Sequence, residues 1–272
     1  MTTLVLGGTG KTGRRVAQRL TARDLPVRIG SRSGEPPFDW NDQASWAPAL
    51  EGMEAAYVVY YPDLAMPEAA GAIRSFAELA MDQGVRRLVL LSGRGEEGAL
   101  ASERALQDSG ADWTVVRATW FSQNFSEDYL LEPVLSGQIA LPAGDVEEPF
   151  VDADDVADVA VAALTEQGHT GEVYEVTGPR LLTFADAAAE ISKATGRHID
   201  YVPVSPEEYA AGVAEHGVPV EYATFLTDLF AKVLDGRNAH LTDGVQRALG
   251  RQPRDFSDYA RDAAATGVWN GR

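Results

Sequence analysis

The chain has 272 residues, 45% of them hydrophobic and 24% charged, enough for a sizeable core with a smaller lobe attached. Its formal charge of -18 opposes contact with a nucleic-acid backbone, which draws on clustered lysine and arginine. With no cysteine, and with His169, His198, His216 and His240 far apart, it lacks a disulfide framework, a thiolate nucleophile and a paired-histidine metal motif, so no metal is expected.

The first element is legible in "LVLGGTGKTGRR", residues 4–15. The Gly-Lys-Thr ending suggests a nucleoside triphosphate loop, but that motif requires a glycine where Val5 sits inside an apolar run. The dinucleotide pattern fits instead. A short strand, Thr3 to Leu6, leads to Gly8, Gly10 and Gly13, or to Gly7, Gly10 and Gly13 in a looser spacing. A helix with Val16, Ala17 and Leu20 at helical spacing follows. Such a turn sets the amides of a helix start against a pyrophosphate, so Gly7, Thr9, Gly10, Lys11, Thr12 and Gly13 are the expected contacts. The second strand, "PVRIGSRS", ends in Ser31, Arg32 and Ser33, with no acid before Glu35. An NAD site places an acid there for the ribose hydroxyls, whereas an arginine fork suits a 2'-phosphate. NADP(H) is therefore the expected cofactor, held by Arg32 with Ser31 beside it; the alternative is that Arg28 and Arg32 are solvated loop charges.

Apolar runs at 55–62, 87–94 and 112–119 alternate with helical patterns at 66–83 and 99–109, which indicates a parallel sheet covered on both faces. The order then changes. Residues 149–166 read as a short edge segment and an amphipathic helix capped near Asp152 or Asp154, and "GEVYEVTG" (171–178) reads as a further strand. Thr183 with Asp186 three residues later approximates a capping box for a helix over 183–195. A strand in "HIDYVPV" and helices near 205–215, 219–235, 242–249 and 255–265 complete the chain. The fold class is α/β, a Rossmann-type doubly wound parallel sheet. Residues 1–180 form its nucleotide-binding domain and 181–272 a smaller, mostly helical substrate lobe packed on the cofactor cleft. No run of about eighteen apolar residues exists. The chain opens directly into a strand, so a cytoplasmic protein without a membrane partner is expected.

The segments "GGTGKTGRRV", "SRS", "VVYYPD", "LLSG" and "SGADWTVVRATWFSQNF" together resemble the NmrA-like branch of the atypical short-chain dehydrogenases/reductases. The resemblance is specific up to residue 180 and looser beyond it. It implies a Rossmann fold that binds NADP, and either reduction of quinones, dyes and other small molecules or a cofactor-sensing regulatory role. It also aligns Asp39 and Trp40 with a segment lying along the adenine. The wider superfamily uses a tyrosine with a lysine four residues later to protonate a nascent alkoxide. Here the lysines are Lys11, Lys193 and Lys232, none of them so placed, and "GALASERALQDSG" lacks the lysine that isoflavone-reductase-like enzymes carry in the corresponding helix.

Two readings survive. One is an NADPH-dependent oxidoreductase that passes hydride to a small quinone-like or conjugated carbonyl substrate, with orientation carrying the catalysis. The other is an NADP(H)-binding redox-sensing regulator without turnover. Ser92, Tyr60 and Asn124 are the candidate catalytic groups. Tyr61, Ser92, Arg94 and Asp39 join the expected cofactor contacts, although Arg94 equally suits an exposed ion pair. Trp120, Phe121, Asn124 and Phe125 are the candidate substrate contacts, by stacking and by a hydrogen bond to a carbonyl. Core packing is the alternative for Trp120 and Phe121. Alternation sets Tyr60 and Tyr61 on opposite faces. Asp152 and Asp155 read as a helix cap and a dipole partner rather than as acids or bases. The stretch "YATFLTDLFAKVL" (222–234) offers apolar residues for a partner surface, a substrate pocket or a homodimer contact.

Overall fold

The computed structural model describes residues 1–215, Thr227 and 230–271. In chain order its elements begin with β1 (Thr3–Leu6), α1 (Lys11–Ala22), β2 (Val27–Gly30), α2 (Trp46–Leu50), β3 (Ala55–Val58), α3 (Ala69–Asp82), β4 (Arg87–Gly93), α4 (Glu97–Gln107) and β5 (Asp112–Ala118). They continue with α5 (Asn124–Glu127), α6 (Leu131–Ser136), β6 (Gln138–Leu141), β7 (Glu147–Glu148), α7 (Ala153–Thr165), β8 (Glu172–Val176) and β9 (Leu182–Thr183). The last are α8 (Phe184–Thr195), β10 (Asp200–Pro203), α9 (Pro206–Glu215), α10 (Gly244–Leu249) and α11 (Phe256–Ala265). The second half of the 219–235 pattern is helical from Phe230, and its first half lies largely outside the described residues.

The chain forms two compact units that do not follow chain order. The first comprises Met1–Ala118, Ala153–Val176 and Thr242–Gln252; the second comprises Thr119–Asp152, Thr177–Leu241 and Pro253–Arg272. The sequence suggested a single break near residue 180, whereas residues 119–152 and 242–252 each belong to the other unit from the one that break would give them. Hydrophobic periodicity reports which face of an element is buried, not which distant segment buries it.

The first unit is a six-stranded parallel sheet in the order β2-β1-β3-β4-β5-β8, a Rossmann-like α/β arrangement. The chain turns one way from β1 to β2 and the other way from β1 to β3, so the topological switch point lies at the end of β1, where ligands bind in such sheets. Leu88 and Leu90 of β4 share a core with Leu4, Leu6, Ile73, Phe76 and Leu106, which packs α2, α3 and α4 on one face. On the other face α1 packs against α7, and Arg87 donates to the Leu164 carbonyl at the end of α7 (2.7 Å).

The second unit pairs β6 with β10 in parallel and β7 with β9 antiparallel. Its core gathers Phe125, Phe150, Phe184, Phe256 and Trp269. The capping box is present: the Thr183 hydroxyl accepts from the Asp186 amide and the Asp186 carboxylate accepts from the Thr183 amide, each at 3.0 Å. Of the apolar stretch 222–234, Phe230, Val233 and Leu234 are described and buried; residues 222–226, 228 and 229 lie outside the described residues. No helix among the described residues is long and apolar enough to cross a membrane.

Candidate cofactor site

The turn from β1 to α1 is built for close backbone approach. Gly7 has φ +62, a left-handed conformation that disfavours any side chain, and its carbonyl accepts from the Gly10 amide at 2.8 Å. A Cβ on Gly13 would lie 2.2 Å from that same carbonyl, so only glycine lets the helix start press against the turn. The helix begins without a side-chain cap and with no acid in its first turn. A helix start of this kind presents backbone amides and the positive end of the helix dipole, which favour an anion. These features fit the pyrophosphate of a dinucleotide.

β2 ends beside this turn. Arg28 is committed elsewhere, donating to the carbonyls of Pro48, Ala49 and Glu51 at the end of α2. Arg32 is exposed, and among the described residues it makes no hydrogen bond or ion pair. Ser31 and Ser33 approach within 3.4 Å through their hydroxyls. The loop is closed by the Ser31 carbonyl, which accepts from the Gly34 and Phe38 amides.

The segment that follows is fixed by an aromatic cluster. Trp40 packs with Phe38, Trp46, Tyr60 and Phe76, and its indole donates to the Val59 carbonyl at 3.0 Å, tying the chain after β2 to the end of β3. The Asp39 carboxylate accepts from the Asn41 amide at 3.0 Å. Tyr60 is buried in this cluster and Tyr61 is 69% exposed. Burial, then the charge of Glu68, raises the Tyr60 pKa, so its phenol keeps its proton at neutral pH.

At the ends of β4, β5 and β8 a charged ladder crosses the sheet. Ser92, Arg117 and Glu175 stand side by side in register. Ser92 donates to Glu103 on α4 at 2.6 Å; Arg117 donates to Glu103 at 2.9 and 2.5 Å and to Glu175 at 2.5 Å. Arg94, buried where the sequence allowed an exposed pair, stands 3.4 Å from Glu175. Two carboxylates and two guanidiniums thus balance one another. The hydrogen bond to Glu103 leads the causes that raise the Arg117 pKa and keep it charged. Glu103, Arg117 and Glu175 were missed as site residues by the sequence reading. Their signal was an arginine inside the apolar run "DWTVVRAT", which must find a carboxylate if it is buried.

The second unit holds the candidate acceptor segment. Phe125 is fully buried among Phe150, Phe184 and Phe256, so it belongs to the core rather than to a ligand-facing surface. Trp120 packs against Tyr129, Phe184 and Phe230. Asn124 approaches the Tyr129 hydroxyl at 3.5 Å, and Phe121 bridges to Val151. Gln123 donates to Asp152 at 2.6 Å, and Arg254 pairs with the same carboxylate at 2.9 Å. In the first unit Asp155 pairs with Arg251 at 2.6 Å. Both aspartates are structural ion-pair partners of arginines far along the chain. Among the described residues no group of three or more His, Asp or Glu side chains could hold a metal ion.

This geometry agrees with what the chain is similar to. A family model described as NAD(P)H-binding matches residues 7–167. The agroclavine dehydrogenase of Claviceps fusiformis is 34% identical, over 96% of this chain and 97% of its own length. The NAD(P)H azoreductase of Xenophilus azovorans is 31% identical, over 96% and 98%. The crystal structure of Citrobacter sp. triphenylmethane reductase complexed with NADP(H) superposes with a TM-score of 0.79 at 22% identity, covering 97% of this chain and 100% of that one. The chain belongs to the NAD(P)H-binding family. Within it, the chain is an NAD(P)H-dependent oxidoreductase.

Proposed function

We propose that this protein prefers NADPH and reduces a small quinone-like or conjugated carbonyl compound without a tyrosine-lysine pair. The observation that carries the cofactor preference is Arg32: an exposed guanidinium with no partner among the described residues, just past β2, on a loop with two serine hydroxyls and no acid before Glu35. The relative that acts on azo compounds supports a conjugated electrophile as acceptor, since an azo bond and a quinone both take hydride into a π-system. We assign contact with the acceptor to Trp120, Phe121 and Asn124 on their chemistry.

Bound NADPH would supply the hydride. The chain's own work is orientation: the Gly7 to Gly13 turn fixes the pyrophosphate, Arg32 the 2'-phosphate, and the cluster around Trp40 the adenosine end. Positioning of this kind has large catalytic capacity when the geometry is right. The test is the loss of NADPH absorbance when the purified protein meets a panel of quinones, azo dyes and conjugated ketones, with NADH in parallel. Turnover favouring NADPH is the expected result. Tight NADPH binding with no turnover across the panel would replace the proposal with the cofactor-sensing regulator.

A further inference from the structure

The strand ends of the first unit hold two carboxylates that neither the cofactor turn nor the charged ladder uses. Asp63 lies on the loop after β3 and Glu96 on the loop after β4, neighbouring strands on the edge of the sheet where ligands bind. Two close contacts hold the loop after β3 against α4, the helix that follows Glu96. A Cβ on Gly98 would stand 2.2 Å from the Ala65 carbonyl, and Ser102 donates to the Leu64 carbonyl at 3.2 Å. Asp63 is oriented by the Ala65 amide, from which it accepts at 2.8 Å. Glu96 folds back over the end of β4: a Cβ on Gly93 would fall 2.4 Å from its Oε1 and 2.5 Å from its Oε2. Glycine at 93 therefore makes the room in which this carboxyl group sits. Glu96 is the residue before α4, yet its side chain makes no capping hydrogen bond to that helix.

We propose that Glu96 is the proton donor of the reductase, its carboxyl group giving a proton to the acceptor oxygen as hydride arrives at the acceptor. This rests on the reductase reading above and fills the role left by the missing tyrosine-lysine pair. The atoms balance. One hydrogen with its electron pair comes from NADPH, the O–H bond of Glu96 breaks, a new O–H bond forms on the reduced acceptor, and the Glu96 carboxylate is reprotonated from water.

The surroundings support a carboxyl group that is neutral at working pH. Burial first, and the charge of Asp63 second, push Glu96 up to about 8. Burial also raises Asp63, against the lowering effect of the Ala65 amide. Arg94 stands 3.4 Å from Glu175, and Arg117 is shared between Glu103 and Glu175. Glu97, the first residue of α4, is exposed, and Glu68 acts on Tyr60. A pair of carboxyl groups whose environment keeps one protonated is a recognised way to run acid catalysis near neutrality.

The experiment compares wild type with Glu96→Gln and Asp63→Asn, using NADPH and menadione. Wild-type kcat should stay level below the Glu96 midpoint and fall above it. Glu96→Gln should lose about a hundredfold in kcat, the usual scale of a general acid, and lose the falling limb, with its NADPH Kd unchanged. Asp63→Asn should move the limb to lower pH, because a like charge is removed. Independently of turnover, the carboxyl-carbon NMR signal that is absent from Glu96→Gln should titrate near 8 in the NADPH-bound wild type. A midpoint in the ordinary glutamate range, or a Glu96→Gln variant with wild-type rate and profile, overturns the assignment while the reductase reading stands. Absence of turnover by the wild type on menadione and on the rest of the panel removes the reductase reading, and the donor role with it.

Discussion

On the proposed reading Arg32 sets the cofactor preference, and it can be tested in isolation because nothing in the described fold depends on its side chain. A charge-assisted hydrogen bond contributes about 1.5–3 kcal/mol. Arg32→Ala should therefore raise the NADPH Kd roughly ten- to a hundredfold and leave the NADH Kd nearly unchanged, read by fluorescence titration. Equal losses for both cofactors would remove the 2'-phosphate assignment. The residues most legible in the sequence were those whose backbone demands admit one amino acid. Gly7 needs a left-handed φ and Gly13 needs the absence of a Cβ, so the turn could be read from spacing alone. Glu96 was not legible. Its significance depends on a glycine three residues earlier and on Asp63 in another loop, a coincidence that only folding creates.

The charged ladder is a property of elements rather than of single residues. It exists because β4, β5 and β8 are adjacent and in register, which sets Ser92, Arg117 and Glu175 side by side and brings them under α4. Sequence periodicity identified all three strands, yet it could not pair β5 with β8, since 34 residues of the second unit, Thr119–Asp152, and α7 intervene between them. Removing the central cation should be costly, because the buried Glu103 then loses its main partner. Arg117→Met should lower stability by about 3–5 kcal/mol, measured as the shift of the urea unfolding midpoint. Replacing Glu103 by Leu in the same chain should restore part of the loss, since the uncompensated charge is then gone as well. If Arg117→Met matched the wild type, the ladder would have no structural role.

At the scale of the whole molecule the interleaving of segments makes a firm prediction about where the chain can be cut. A boundary at residue 180, natural from the order of motifs, would retain every strand of the sheet and the whole glycine turn. It would nevertheless remove Thr242–Gln252, which belongs to the first unit. That segment covers the outer strand of the sheet. Gly244 of α10 approaches β8 so closely that a Cβ would stand 2.0 Å from the Glu175 carbonyl, and the Thr242 hydroxyl donates to the same carbonyl at 2.6 Å. It also brings Arg251 to Asp155, whose side chain is fully buried, and to Asp158 at 2.5 Å. Loss of the segment would bare the β8 edge to pairing with other molecules and take from a buried carboxylate its arginine partner, the second of these costing about 3–5 kcal/mol. A fragment of residues 1–180 should therefore associate on size-exclusion chromatography, melt without a cooperative transition and bind NADPH poorly, although it carries the whole glycine turn. Arg251→Ala in the full chain should give an intermediate result, a lowered melting temperature with cofactor binding retained, because it breaks the ion pair and leaves the edge covered. A monomeric fragment with a cooperative melt and the full chain's affinity for NADPH would mean that the segment only decorates a unit already complete at residue 180.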